Sequence, residues 1–142
     1  MFSFVVKYLG YLKHIPLMGN VYDSIMRIWY LITNPIILDF IDELESFGQQ
    51  MPDVIILMHP YGGLQFDFNK KELAHIHSNG LLDVLLSKKL KAQLLFEGRI
   101  SSHHVFPKSG WISFYIKNTD DLVYAKKLLS LAYQQRSFKN MS

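Results

Sequence analysis

The chain has 142 residues, a formal net charge of +3 and a pI near 9.0, and 49% of its residues are hydrophobic. This length predicts one domain spanning residues 1–142, and the composition excludes a disordered or low-complexity chain. The sequence contains no cysteine, which excludes disulfides, thiolate metal sites and a cysteine nucleophile and favours a cytoplasmic location.

Residues 1–48 are predicted to form a helical N-terminal segment. Apolar residues recur at steps of three and four from Phe2 to Leu12, and two similar stretches follow. The first helix is expected to end at Pro16 to Gly19, and the second to begin after Asn20. For the third helix, Asn34 is the expected N-cap, Pro35 the first helical position and Gly48 the end.

These helices are unusually apolar, and two interpretations of them stay open. They either pack on the rest of the domain or on a second copy in a homo-oligomer, or they lie on a membrane surface as peripheral helices. In the membrane interpretation Phe2, Phe4, Lys7 and Lys13 are the anchors. Because charged residues interrupt the apolar run, no membrane-spanning helix is predicted.

After Met51-Pro52 the hydrophobic period changes from about 3.6 to about 2, which predicts a sheet-and-helix region over residues 53–135. The expected strands are 53–58, 64–68, 72–78, 81–86, 99–106 and 111–117. The expected helices are 88–97, capped by Ser87 with Leu90, Leu94 and Leu95 inward, and a last helix capped by Thr119 that frays from Gln134. The sequence thus predicts an α+β fold: an antiparallel sheet of five or six strands with the two later helices packed on one face, preceded by the N-terminal helices.

Side chains alternate between the two faces of a strand, so the pattern sorts this sheet into an apolar and a polar face. The apolar face is expected to carry Leu64, Phe66, Phe68, Ala74, Ile76, Leu82, Val84, Leu86, Ile112, Phe114 and Ile116. The polar face is expected to carry Gln65, Asp67, His75, His77, Asp83, Trp111, Ser113 and Tyr115, with Ser101 and His103 if the strand after Gly98 keeps the same parity.

Mixed polar and aromatic side chains suit the lining of a binding site, so we predict a small-ligand pocket on the polar face, roofed by the N-terminal helices. The candidate ligand-binding residues are His75, His77, Asp83, His103, Trp111, Ser113 and Tyr115.

His75 and His77 are two residues apart in a predicted strand, so their imidazoles point to the same side. With Asp83 and His103 they form a candidate site for Zn, Mn, Fe or Ni, because these ions accept imidazole and carboxylate ligands. A solvated or hydrogen-bonded histidine pair is the commoner use of this pattern and remains the alternative.

No nucleophile elbow, phosphate-binding glycine loop or dinucleotide motif occurs, so the sequence assigns no catalytic residue and no reaction. The lysines at 70–71, 88–91 and 126–127 are expected to be solvated. Because 15 Lys+Arg exceed 12 Asp+Glu by little, nucleic acid is not an expected partner, and weak binding to it is a remaining alternative.

From Glu72 to Tyr133 the chain resembles the luciferase domain family, which is widespread in bacteria and fungi. Four stretches carry the resemblance, in order: Glu72 to His77, Gly80 to Leu86, His103 to Pro107, and Ser109 to Ser113. The resemblance implies that His75, His77, Asp83, His103 and Trp111 belong to the family's motif, the same positions that strand parity places together. The family name implies light emission, but the resemblance carries over no catalytic role.

Overall fold

The computed structural model describes residues 16–141, with side chains described from 18 to 138. The helices are α1 (Pro16–Thr33), α2 (Ile36–Gln49), α3 (Lys88–Phe96) and α4 (Thr119–Met141). The strands are β1 (Val54–Met58), β2 (Leu64–Phe68), β3 (Lys71–Ile76), β4 (Leu81–Leu85), β5 (Ser101–Ser102) and β6 (Trp111–Tyr115). They form one antiparallel sheet in the order β1-β2-β3-β4-β6-β5, so the predicted α+β class is confirmed.

The core lies between the apolar face of the sheet and two helices, α2 and α4. From the helices it takes Ile37, Phe40, Ile41, Leu44, Leu122, Ala125, Leu128, Leu129 and Ala132, and from the sheet Phe66, Ala74, Ile76, Leu82, Val84, Ile112 and Phe114. Each larger side chain contributes about 1.5–3 kcal/mol on full burial. The sequence predicted the two later helices for this layer. Helix α4 lies there and α3 reaches the core through Leu94, but α2 also packs on this face through four buried apolar residues.

Helix α3 ends one residue earlier than predicted and presents a different set of side chains to the core. Ser87 caps it as expected, since its hydroxyl accepts the amide hydrogen of Leu90 at 3.2 Å. Leu94 is buried, but Leu95 is exposed. Lys91, which was expected to be solvated, is buried in its place, so that prediction was wrong.

The boundaries of the N-terminal helices also differ from the prediction. The expected first helix, from Phe2 to Leu12, lies outside the described residues. Gly19 does not end a helix but lies inside α1, where a Cβ atom would come within 2.7 Å of the Tyr61 Cα. Asn34 is not an N-cap: its amide hydrogen-bonds the Tyr30 carbonyl at 2.8 Å and so ends α1, while Pro35 precedes α2 with no side-chain cap.

The strand predicted at 99–106 is reduced to β5, which has two residues. The reason lies in the ring of His103, whose Nδ1 accepts the amide hydrogens of Val105 at 3.1 Å and Phe106 at 3.2 Å. Those amides are therefore turned inward and cannot continue a ladder with β6.

Helix α4 differs from the prediction at both ends. Asn118 caps it rather than Thr119, since its Oδ1 accepts the amide hydrogen of Asp121 at 2.9 Å. The helix also continues past Gln134, where the side chain of Gln135 accepts the amide hydrogen of Ser87 at 2.9 Å. This tertiary contact gives the last turns a partner that the sequence pattern did not show.

Gly48 provides a test of how α2 meets the sheet. A Cβ atom there would lie 2.6 Å from Cε1 of Phe66, a ring that is fully buried. We expect Gly48→Ala to lower the free energy of unfolding by about 1–3 kcal/mol, although alanine gains about 1 kcal/mol of helix propensity. Urea unfolding measures this, and Phe66→Leu in the same chain should make the alanine less harmful. A more stable Gly48→Ala variant would contradict this packing.

Candidate functional site

One row of side chains crosses the polar face of the sheet. The strand register places Gln65 beside His75, His75 beside Asp83, and Asp83 beside Ser113. Ser101 continues the row on β5. Strand parity predicted this grouping, and the register confirms it.

Asp83 is the centre of the row, with 1% of its surface exposed. Three imidazole Nε2 atoms face its Oδ2: that of His75 at 3.2 Å, that of His103 at 3.6 Å and that of His77 at 4.0 Å. The Ser113 hydroxyl donates to the other oxygen, Oδ1. Burial acts to raise the pKa of Asp83, but the hydrogen bonds of His75 and Ser113 hold it below its ordinary value. The group is therefore a carboxylate at neutral pH.

His75 lies between two carboxylates. Its Nδ1 is 2.5 Å from Oε1 of Glu72, and its Nε2 faces Asp83. Burial by itself lowers the pKa of His75, but the hydrogen bonds to Asp83 and Glu72 raise it to about 9. In contrast, burial and the charge of His75 lower the pKa of His77 to about 4. At neutral pH β3 thus carries a charged imidazole at His75, and a neutral one follows its last residue at His77.

Hydrogen bonds from the backbone fix the ring protons of two further histidines. Nδ1 of His103 accepts two amide hydrogens, as described above, and Nδ1 of His59 accepts the amide hydrogen of Tyr61 at 3.2 Å. Burial lowers the pKa of both rings, and in His59 the charge of His75 adds to this effect. A neutral imidazole has one N–H and one lone pair, so each ring carries its proton on Nε2. Both Nε2 atoms face carboxylates: that of His59 is 3.8 Å from Oε1 of Glu72, and that of His103 is 3.6 Å from Oδ2 of Asp83.

Sequence reasoning missed His59 and Glu72. His59 stacks on His75, with ring centroids 4.2 Å apart, and continuing the alternation of β1 by one residue would have placed it on this face. Glu72 was hidden by a β-bulge between β2 and β3, where the register places Glu72 opposite Asp67. Simple parity assigns Glu72 to the core face, which the neighbouring Leu73 occupies instead.

The two aromatic candidates lie at different distances from the histidines. The ring centroid of Trp111 is 5.5 Å from that of His75 and 6.1 Å from that of His103. Tyr115 lies two residues beyond Ser113 on β6, opposite Leu81 of β4. It is about half-exposed, and Nζ of Lys117 is 5.9 Å from its ring centroid. Trp111 therefore borders the histidines, whereas Tyr115 marks the far end of the polar face.

The N-terminal helices do not form the predicted roof in the part of the chain that the structure describes. Helix α2 packs on the opposite, apolar face. Helix α1 meets the sheet at one end, where Asp23 accepts the amide hydrogen of Ser78 at 3.1 Å and Gly62 approaches the same helix. The contact reaches the residue after His77, but it lies beside the polar face rather than over it.

Fold and site together define an α+β domain with a buried carboxylate and four histidines on one face of its sheet. Residues 70–132 match the family model described as the Luciferase domain, which confirms the resemblance over somewhat less than half of the chain. The match contains Glu72, His75, His77, Asp83, His103, Trp111 and Ser113, but not His59. Comparison with curated proteins and with solved structures gave no significant match.

The protonation of His75 predicts how stability depends on pH. Its folded-state pKa of about 9 lies above the unfolded value of 6.5, so the folded state holds about one more proton between these pH values. The contribution of His75 to the free energy of unfolding is complete below the unfolded-state pKa and is lost as the pH rises through the folded-state pKa. We expect the free energy of unfolding to fall by roughly 1 kcal/mol per pH unit near pH 8.

Urea unfolding with EDTA present, between about pH 7 and about pH 9.5, measures this slope. His75→Gln should remove it, whereas His104→Gln, which changes an exposed imidazole, should retain it. An unchanged slope in His75→Gln would show that another group binds the proton.

Proposed function

We propose that the protein binds a divalent metal ion through Nε2 of His75, Nε2 of His77 and Oδ2 of Asp83. One observation carries the proposal: these imidazole nitrogens converge on a single buried carboxylate oxygen, and the three ligand positions lie within 4.8 Å of one another. Two imidazoles and a carboxylate are donors that first-row divalent metals accept, and the chain has no thiolate to compete.

The distances support a compact site. Ligand atoms bound at about 2.0–2.2 Å around a tetrahedral metal lie about 3.3 Å from one another. His75 and Asp83 already have this separation, at 3.2 Å, while His77 at 4.0 Å has to move closer by less than about 1 Å. A side-chain adjustment of this size needs no change in the strands.

The groups around the three ligands support the same assignment. Binding of the metal would release the Nε2 proton that His75 shares with Asp83, while the Nδ1 proton stays hydrogen-bonded to Glu72. A carboxylate on Nδ1 is the usual arrangement that orients a metal-binding imidazole. His103, which the sequence placed among the ligands, has its single proton on Nε2, and moving that proton to Nδ1 would break the two amide hydrogen bonds there. It is therefore better suited to donate to Asp83 than to bind the metal. His59, Glu72 and His75 form a second group of ligand type, but the Nε2 proton of His59 and the Glu72–His75 bond make it the weaker candidate.

Three protein ligands leave one position of a tetrahedral metal open, which is the arrangement of a site that also binds a small molecule. The ring of Trp111 adjoins those of His75 and His103 and would border a small molecule bound at such a site. The proposed function is thus a metal-dependent small-ligand module rather than a closed structural metal site.

Titration of untagged, EDTA-treated protein with Zn²⁺ tests this proposal, with the visible spectrum of the Co²⁺ form as a second readout. We expect one ion per chain. His77→Ala should weaken binding by more than about 100-fold, because even groups that only hydrogen-bond a ligand are worth about 10–100-fold. His103→Ala should weaken it by about tenfold. His104→Ala, which removes an exposed ring stacked on His103, should have a smaller effect. Binding of less than one ion per chain, to the same extent in wild type and in His77→Ala, would rule out the site.

A second proposal concerns the exposed side of α1, which we propose binds a lipid surface. Its exposed apolar residues are Met18, Val21, Ile25, Ile28, Trp29, Leu31 and Ile32. They cover about half of the helix circumference at 100° per residue, a wider band than the narrow seam of a coiled coil. The other side of the helix, with Gly19, Asp23 and Met26, faces the domain.

The charges of α1 fit this orientation. Between residues 18 and 32 the helix has two charged residues, Asp23 and Arg27, which pair with each other at 3.5 Å beside Ser78. The exposed band is therefore uncharged. Among the described residues no single helix is long and apolar enough to cross a membrane, while α1 and α2 meet that criterion only as a pair bent by 120°. A helix lying in the interface accounts for these features.

Sedimentation with phosphatidylcholine vesicles, with and without phosphatidylglycerol, tests the lipid proposal. We expect Ile25→Glu combined with Ile32→Glu to reduce vesicle binding by at least about tenfold, because each buried carboxylate opposes insertion. Val123→Glu, at an exposed apolar position of α4, is the matched control and should bind as wild type. No vesicle binding, together with a dimer that the double variant dissociates, would assign this surface to a second copy and contradict the proposal.

A further inference from the structure

Lys91 is a buried cation that the proposed metal site does not use. It is 6% exposed, and its Nζ lies 2.8 Å from the Pro107 carbonyl oxygen and 2.9 Å from those of Ser109 and Trp111. An ammonium group has three N–H donors, so each proton meets one backbone acceptor. Hydrogen bonds of this kind offset the cost of removing the charge from water.

All three acceptors belong to the segment from 103 to 111, which carries two residues of the site. The Trp111 carbonyl also accepts the amide hydrogen of His103 at 3.4 Å. The Ser109 hydroxyl donates to the Phe106 carbonyl at 2.6 Å and accepts the Trp111 amide hydrogen at 3.1 Å. Lys91 is therefore at the centre of the contacts that close this segment.

The surroundings of Lys91 resemble a monovalent-cation site more than an ion pair. None of the ion pairs among the described residues includes Lys91. Backbone carbonyls are the groups that replace water around K⁺ in proteins. Burial and the charge of Lys88 lower the pKa of Lys91, as expected for a cation without a carboxylate.

We infer that the segment 103–111 forms a carbonyl cradle for a monovalent cation, which the chain fills with its own Lys91 ammonium. The ammonium draws three carbonyls together and thereby holds His103 against Asp83 and Trp111 beside His75. Lys91 is thus a positioning residue. The cradle does not depend on the proposed metal, and only its effect on metal affinity rests on the proposed function.

Chemical rescue in Lys91→Ala tests the cradle. In a Trp29→Phe background Trp111 is the single tryptophan, so its emission reports on this segment. We expect Lys91→Ala to shift the emission and the His103 ring resonances, and methylammonium or K⁺ to restore both. Choline, which has no N–H and is too large, should restore neither. Lys89→Ala, at an exposed lysine of the same helix, is the matched control and should leave both signals unchanged.

Lys91→Met gives a second test that keeps the packing of the lysine stem. It should shift the same signals, but methylammonium should not restore them, because the methionine side chain fills the space. If the metal site also holds, Zn²⁺ affinity should fall about tenfold in Lys91→Ala and return with methylammonium.

Wild-type emission and wild-type His103 resonances in both variants would overturn the inference, as would equal rescue of Lys91→Ala by methylammonium and choline. If the wild type binds no Zn²⁺, the optical and NMR measurements still decide on the cradle. Failure of the metal proposal is thus separate from failure of this one.

Discussion

A carboxylate buried in the middle of a sheet is the constraint on which the polar face depends. Asp83 is on β4, between β3 and β6, where water does not reach it. Removing an ion from water costs several kcal/mol unless neighbouring groups hydrogen-bond to it. His75 from one neighbouring strand and Ser113 from the other supply these bonds. The polar residues on this face thus form one connected group, and each depends on the register of the strands.

The same group extends into two loops, those that contain His59 and His103, and both loops use the same hydrogen-bonding arrangement. In each loop a histidine accepts backbone amide hydrogens at Nδ1 and presents its Nε2 proton to a carboxylate, His59 towards Glu72 and His103 towards Asp83. The ring orders its own turn and contributes to the electrostatics of the site. Lys91 is a further side chain that holds the second loop, because its ammonium donates to three carbonyls in the segment that follows His103. The loops are therefore held largely by side chains, which explains why the strand pattern stops early at β5.

The inner side of α1 contacts the sheet next to the proposed metal site. Asp23 of α1 accepts the amide hydrogen of Ser78, the residue that follows His77. The exposed apolar side of the helix faces away from this contact, and the metal position lies on the sheet beside it.

The sequence by itself determined the fold class, the apolar face and the positions of His75, His77, Asp83 and Ser113 on the opposite face. It could do so because alternation in a regular strand is a local property of the backbone. Tertiary structure decided the rest. A bulge moved Glu72 to the polar face, the His103 ring ended a strand, and carbonyls from a distant loop enclosed Lys91. It also placed α2 on the apolar face, because an apolar helical stripe shows that a surface is buried but not what covers it.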